Sequence, residues 1–300
     1  MASGKVAVFG VPTAAGARGA GTSRAPFFLR EAGLLEALRA AGPRVVQLSD
    51  LSLFPFQHDA AHPRARNLGV AACAARAAAD EMGRALAEGF TLVLGGDCSL
   101  LTGTLAGARA ALGKPVGVVF VDADADLNTP ETTPSGYLNG MALALALGRG
   151  PWEIAAAGGE PPALLPEHAA LIGYRALDPG EREAIGALGL ALPAAAARKL
   201  GMRATPALAL DAIENDDGPV LVHLDVDVID PAEMPAKDSL TPGEGLSLAE
   251  TADLITALVA SDRVVALELC EFSPDRDPQG VHARAIVEML ARAVARRFRA

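Results

Sequence analysis

Val116-Gly-Val-Val-Phe-Val-Asp-Ala-Asp-Ala-Asp-Leu-Asn128 passes from an unbroken apolar run directly into three aspartates spaced two apart. Val116–Val121 has no polar residue to turn toward water, which fits a strand buried on both faces of a parallel sheet. Working outward, the strand in this stretch is expected over Pro115–Val121, and similar β-branched runs recur at Lys5–Gly10, Arg44–Leu48, Thr91–Leu94, Ala170–Gly173, Pro219–Asp225 and Val264–Leu269. Each is followed by an Ala/Leu-rich stretch of helical character. Ser247-Leu-Ala-Glu250 has the spacing of a capping box, opening a helix with Leu254, Ile255, Leu258 and Val259 on one face. Ile286, Met289, Leu290 and Ala293 mark a last helix. Alternating strand and helix define an α/β protein, a three-layer αβα arrangement around a mostly parallel sheet. No fixed-period repeat or Ser/Gly linker divides the chain, so residues 1–300 are expected to form one domain. Gly148–Glu167, rich in Gly and Pro, is expected to be a loop within it.

Apolar residues make up 51% of the 300, enough to build the core of a single large domain. The net charge of -10 disfavours nucleic acid and anionic membranes as partners. Cys73, Cys98 and Cys270 are too few and too scattered for a disulfide framework, so a reducing cytoplasm is expected. Met1-Ala-Ser-Gly-Lys5 lacks the basic and apolar parts of a secretory signal, and no apolar run is long enough to span a bilayer.

Three segments carry the chemistry: Leu94-Gly-Gly-Asp-Cys-Ser99, Val121-Asp-Ala-Asp-Ala-Asp-Leu-Asn128 and His223-Leu-Asp-Val-Asp-Val-Ile-Asp-Pro231. Each stands where an apolar strand ends, and open parallel sheets bind ligands beyond the carboxyl ends of their strands. Asp122, Asp124 and Asp126 share one side while the chain stays extended, as do Asp225 and Asp227 with His223. Five crowded carboxylates cannot all remain ionised in a dry site without countercharge. Two divalent cations about 3.5–4 Å apart, bridged by carboxylates, would provide it. Any single aspartate at a strand end is equally well a turn residue or helix cap. Cys98 reads either as a ligand or as a small buried hydrophobe. His223 reads as a packed, hydrogen-bonded histidine or, less simply, as a ligand or base. His58, His62, His168 and His282 fall outside the motifs and are expected on the surface or in loops.

These segments resemble the arginase/agmatinase (ureohydrolase) family, as do Asn67-Leu-Gly69, Thr129-Pro130, Ser135-Gly136 and Glu271-Phe-Ser-Pro274. Gly173-Tyr-Arg-Ala-Leu-Asp-Pro-Gly-Glu181 is especially similar to the true arginases. The resemblance implies an arginase-like fold and a cofactor of two manganese ions. Its ligands would be Asp122, Asp126, Asp225 and Asp227, with Cys98 and Asp124 where the family pattern places histidines. Asn139 stands where the family has a further histidine acting as a proton shuttle, and an amide cannot exchange protons near neutral pH.

By the same resemblance, Asn128, Thr133 and Ser135 would hold an α-carboxylate, Asp178 an α-amino group and Glu271 a guanidinium, with Asp126 orienting the attacking hydroxide. Tyr137 would narrow the pocket. The implied function is hydrolysis of the guanidinium group of arginine or a related compound to urea and an amine. The alternatives are an arginase-family protein that has lost catalysis and binds or regulates, or a hydrolase of another C–N bond. The implied partners are a small guanidino substrate and other copies of the chain, as a trimer or hexamer.

Overall fold

The computed structural model describes residues 4–239 and 241–299; Met1–Ser3, part of the N-terminal reading above, lie outside the described residues. Among these, eight strands form one sheet: β1 (Lys5–Gly10), β2 (Arg44–Gln47), β3 (Phe90–Leu94), β4 (Gly117–Val121), β5 (Ala169–Ile172), β6 (Leu190–Leu192), β7 (Val220–Asp225) and β8 (Val264–Cys270). All seven β-branched runs form strands, with ends shifted by no more than two residues. Leu190–Leu192 was missed because three half-buried residues are too short to show a period. The sheet is wholly parallel where a mostly parallel one was expected, since every strand pairing runs in that sense.

The strand order, β2-β1-β3-β8-β7-β4-β5-β6, positions the site. The chain leaves β3 and enters β4 with a gap of two strands, later filled by β7 and β8. The C-terminal ends of β3, β8, β7 and β4 therefore adjoin at the middle of the sheet, where both faces are covered. Val119, Val121, Val222, Leu224 and Leu267 pack toward one layer of helices, and Phe120, Leu221 and Ala266 toward the other.

The helix Leu68–Glu88 lies against the helix Leu101–Leu112 so closely that a Cβ on Gly103 would stand 2.0 Å from the Ala75 carbonyl oxygen. The Ala/Gly-rich composition of these helices permits that approach. The capping box is present: Ser247 accepts from the Glu250 N–H at 3.0 Å, and Glu250 accepts from the Ser247 N–H at 2.8 Å. The last helix spans Val281–Phe298, with Ile286, Met289, Leu290 and Ala293 buried. Within Gly148–Glu167 the loop carries a short helix, Trp152–Ala155. Among the described residues no helix is long and apolar enough to cross a membrane.

Candidate active site

The loop after β3 is fixed first. Gly96 passes so near the Thr13 segment that a Cβ there would fall 1.8 Å from the Thr13 carbonyl oxygen. Asp97 then ties the loops together, accepting from Thr13 Oγ1 (3.1 Å), the Gly16 N–H (3.1 Å) and the Ser99 N–H (3.0 Å). This scaffold sets Cys98, fully buried, with its N–H donating to Glu271 Oε1 at 3.1 Å and its sulfur 3.3 Å from Asp225 Oδ2.

β4 ends at Val121, so the three aspartates after it lie beyond the pleat. They converge through loop conformation, not through strand alternation. Asp122 Oδ1 accepts from the Asp124 N–H at 2.7 Å, a local turn, and Asp126 takes a left-handed φ of 52°. Aspartate tolerates that region better than most residues. Glu271, just past β8, has φ 65°. Such conformations in non-glycine residues persist where their surroundings hold them, and they concentrate at functional sites. From β7, Asp225 Oδ1 accepts from the Asp227 N–H at 2.6 Å, and Asp227 Oδ1 from the Ala123 N–H at 3.1 Å.

All five aspartates and Glu271 line one cleft of about 610 Å³, together with Asn128, Thr133, Ser135, Asn139 and Asp178. Cys98 lies behind its floor. Ligand atoms of Cys98, Asp122 and Asp225 fall within 4.8 Å of one another, as do those of Asp122, Asp124 and Asp227. Burial, followed by the charge of neighbouring carboxylates, pushes Asp122, Asp126, Asp225 and Glu271 far above the usual carboxylate range. Asp124 rises to about 7, through burial and then the charge of Asp227. Burial also drives the Cys98 thiol upward. Asp122 Oδ2 and Glu271 Oε2 are buried without a hydrogen-bond partner. Leaving such oxygens unsatisfied is costly, so the floor is built for something positive.

At the mouth, Asn128 Nδ2 donates to Asp178 Oδ2 at 2.8 Å. Thr133 Oγ1 accepts from the Ser135 and Gly136 N–H groups at 3.2 and 2.9 Å, which leaves its own hydrogen to donate. Asn139 Nδ2 donates to Glu271 Oε1 at 3.2 Å. Tyr137 does not line the cleft; its ring lies beneath the Arg18 and Arg66 guanidinium groups.

Several contributors were assigned no role from the sequence. Thr241 Oγ1 donates to Asp124 Oδ2 at 2.6 Å. Glu181 accepts from the Leu127 and Asp178 N–H groups at 3.0 and 2.8 Å, joining the loops after β4 and β5. Buried Lys237 donates to the carbonyls of Asp227 and Ile229 at 2.9 and 2.8 Å, holding the turn after β7. Arg18 and Arg276 add positive charge to the cleft wall. Thr241 reaches Asp124 and Glu181 reaches Leu127 across long sequence separations, which no short stretch displays; Glu181 closes the arginase-like segment Gly173–Glu181 without having been given a role there.

The remaining histidines divide. His58 and His62 are exposed as expected, and His282 sits half-buried on the last helix. His168 lies in a connecting turn, the one that feeds β5, and is buried there. His223 is fully buried in β7 and points into the packed region behind the cleft.

Fold and site together define a three-layer α/β protein with an acidic cleft at the carboxyl ends of four central strands. The sequence matches the Arginase family over residues 4–295. It is 32% identical over 289 residues to the arginase of Bacillus caldovelox, covering 95% of this chain and 96% of that one. It is likewise 32% identical over 295 residues to the arginase of Brucella melitensis, covering 95% and 94%. The crystal structure of Bacillus cereus arginase superposes with a TM-score of 0.86 at 30% identity, over 97% of this chain and 98% of that one. The chain belongs to the arginase family.

Proposed function

We propose that this protein is a metal-dependent amidinohydrolase that cleaves the guanidinium group of arginine or a close relative to urea and an amine. The observation that carries the reading is the cleft floor, where four buried aspartates and the half-buried Asp124 converge and Asp122 Oδ2 and Glu271 Oε2 have no partner. Those oxygens, and the repulsion that raises the group together, fit bound cations. Asp122, Asp124, Asp126, Asp225 and Asp227 would hold two divalent ions, with Cys98 as a further donor; hard oxygen donors suit manganese. When bound, the ions would offset most of the floor's negative charge and activate water for attack on the guanidinium carbon.

The chain's own groups divide the remaining work. Glu271 lines the cleft and its Oε2 has no donor of its own, so it would accept a guanidinium N–H. Asp126 would orient the attacking water and help transfer its proton. The free Thr133 hydrogen, with Ser135 and Asn128, suits an α-carboxylate, and Asp178 suits an α-amino group. Support for an arginine-like substrate comes from these residues and from the arginases to which the chain is similar. A homo-oligomer, trimer or hexamer, in the cytoplasm completes the reading, which light scattering of the purified protein tests for assembly.

The deciding experiment is metal analysis of protein purified without chelator, run beside a urea assay on arginine with added manganese. Two equivalents of metal with urea release are expected. Metal uptake without urea release from arginine or related guanidino compounds would overturn the assignment in favour of a binding role.

A further inference from the structure

Behind the cleft floor lies a second cluster that shares only Cys98 with the amidinohydrolase reading. His223 Nε2 stands 3.2 Å from Cys98 Sγ, and one ligand atom from each of Cys98, His223 and Cys270 falls within 4.8 Å of the others. All three side chains are fully buried, and neither His223 nor Cys270 lines the cleft. The sheet register holds them there. His223 pairs with Glu268 on β8 and with Phe120 on β4, so its ring is gripped from both sides. It stacks on the Phe120 ring at 4.5 Å between centroids and 3° between planes. Its Nδ1 meets Glu268 Oε1 at 2.6 Å, and Glu268 Oε2 is buried with no partner.

A carboxylate acceptor at Nδ1 places the hydrogen there and leaves the Nε2 lone pair directed at sulfur. That is the arrangement by which metal-ligating histidines are oriented. In tetrahedral zinc sites, bonds of about 2.3 Å to sulfur and 2.0 Å to nitrogen put those two donors about 3.5 Å apart. The observed 3.2 Å needs only a small outward adjustment. Asp225 Oδ2, 3.3 Å from the same sulfur, is a further donor within reach.

We propose that Cys98, His223 and Cys270 form a buried binding site for a single soft divalent metal of the zinc class, with Glu268 as the positioning residue behind His223. Two thiolates and an imidazole select zinc or cobalt over manganese, which prefers oxygen. Binding releases the two thiol protons to solvent and changes no oxidation state. The site stands whether or not the cleft hydrolyses arginine, and the measurements below read the metal's surroundings, not turnover.

The test uses the full-length, unsubstituted protein, stripped with chelator and loaded with one equivalent of zinc. X-ray absorption at the zinc edge is expected to show two sulfur neighbours near the roughly 2.3 Å of zinc–thiolate bonds. A shell of oxygen and nitrogen with one sulfur or none would place zinc among the cleft aspartates and overturn the proposal. One equivalent of cobalt should give thiolate charge-transfer absorption and strong visible bands of a tetrahedral ion. C270S should lose most of this absorption, and E268Q should retain it with affinity lowered about 10–100-fold. Equal cobalt spectra and affinities in all three proteins would refute the site.

Discussion

Replacing Asp124 by asparagine should make the metal-free protein more stable at neutral and alkaline pH. Asp124 is held at about 7 by burial and the nearby Asp227 charge, against an ordinary value of 3.8. Between those limits the unfolded chain ionises this carboxyl while the folded one keeps it protonated, so the folded state binds more protons. Stability is therefore fully present below about pH 4 and falls as pH rises through 7. About three pH units at 1.36 kcal/mol each give at most about 4 kcal/mol of strain above pH 7. For 300 residues the unfolding entropy is about 0.6 kcal/mol per degree, so the full effect is about 6 °C in Tm. Asparagine retains a carbonyl oxygen to accept from Thr241, so the substitution removes charge with little loss of contact.

Thermal unfolding of both proteins in chelator, at pH 4 and pH 8, measures the difference. The variant should unfold several degrees higher at pH 8 and at nearly the same temperature at pH 4. Added manganese should reverse the order at pH 8, because only the wild type offers the full carboxylate set. Equal melting temperatures at pH 8 in chelator would refute the idea that burying this charge beside Asp227 opposes folding.

Other expectations follow from single contacts. Glu271→Gln should lower kcat/KM for arginine about 10–100-fold, because a charged acceptor for the guanidinium is lost; steady-state urea assays check this. Gly96→Ala should destabilise by several kcal/mol, since its Cβ would overlap the Thr13 carbonyl; denaturant unfolding reads the loss. Ser247→Ala should cost about 1 kcal/mol through loss of the helix cap, with the cleft unaffected; urea denaturation beside the activity assay separates the two.

Much was legible without coordinates. Apolar β-branched runs such as Val116–Val121 can be satisfied only by burial on both faces, so they announce parallel strands wherever they fall. Ser247 and Glu250 announce a helix start because a cap is satisfied within four residues. The five aspartates were legible as one site because each stands beside the end of such a strand, and the arginase-family resemblance supplied Asn128, Thr133, Ser135, Asp178 and Glu271, all of which line the cleft.

What only the tertiary structure decided is how those ends meet. The order β3-β8-β7-β4 brings Glu271 and Asp126 to one floor, although 145 positions separate their numbers in the chain. It also sets His223 between Phe120 and Glu268 and against Cys98, contacts spanning 45 residues to Glu268 and 125 to Cys98. Thr241 and Glu181 gained roles in the same way. A sequence records which groups must be buried and which local turns they can make. Which buried groups become neighbours depends on strand order, fixed by the packing of the whole sheet and expressed in no short stretch of chain.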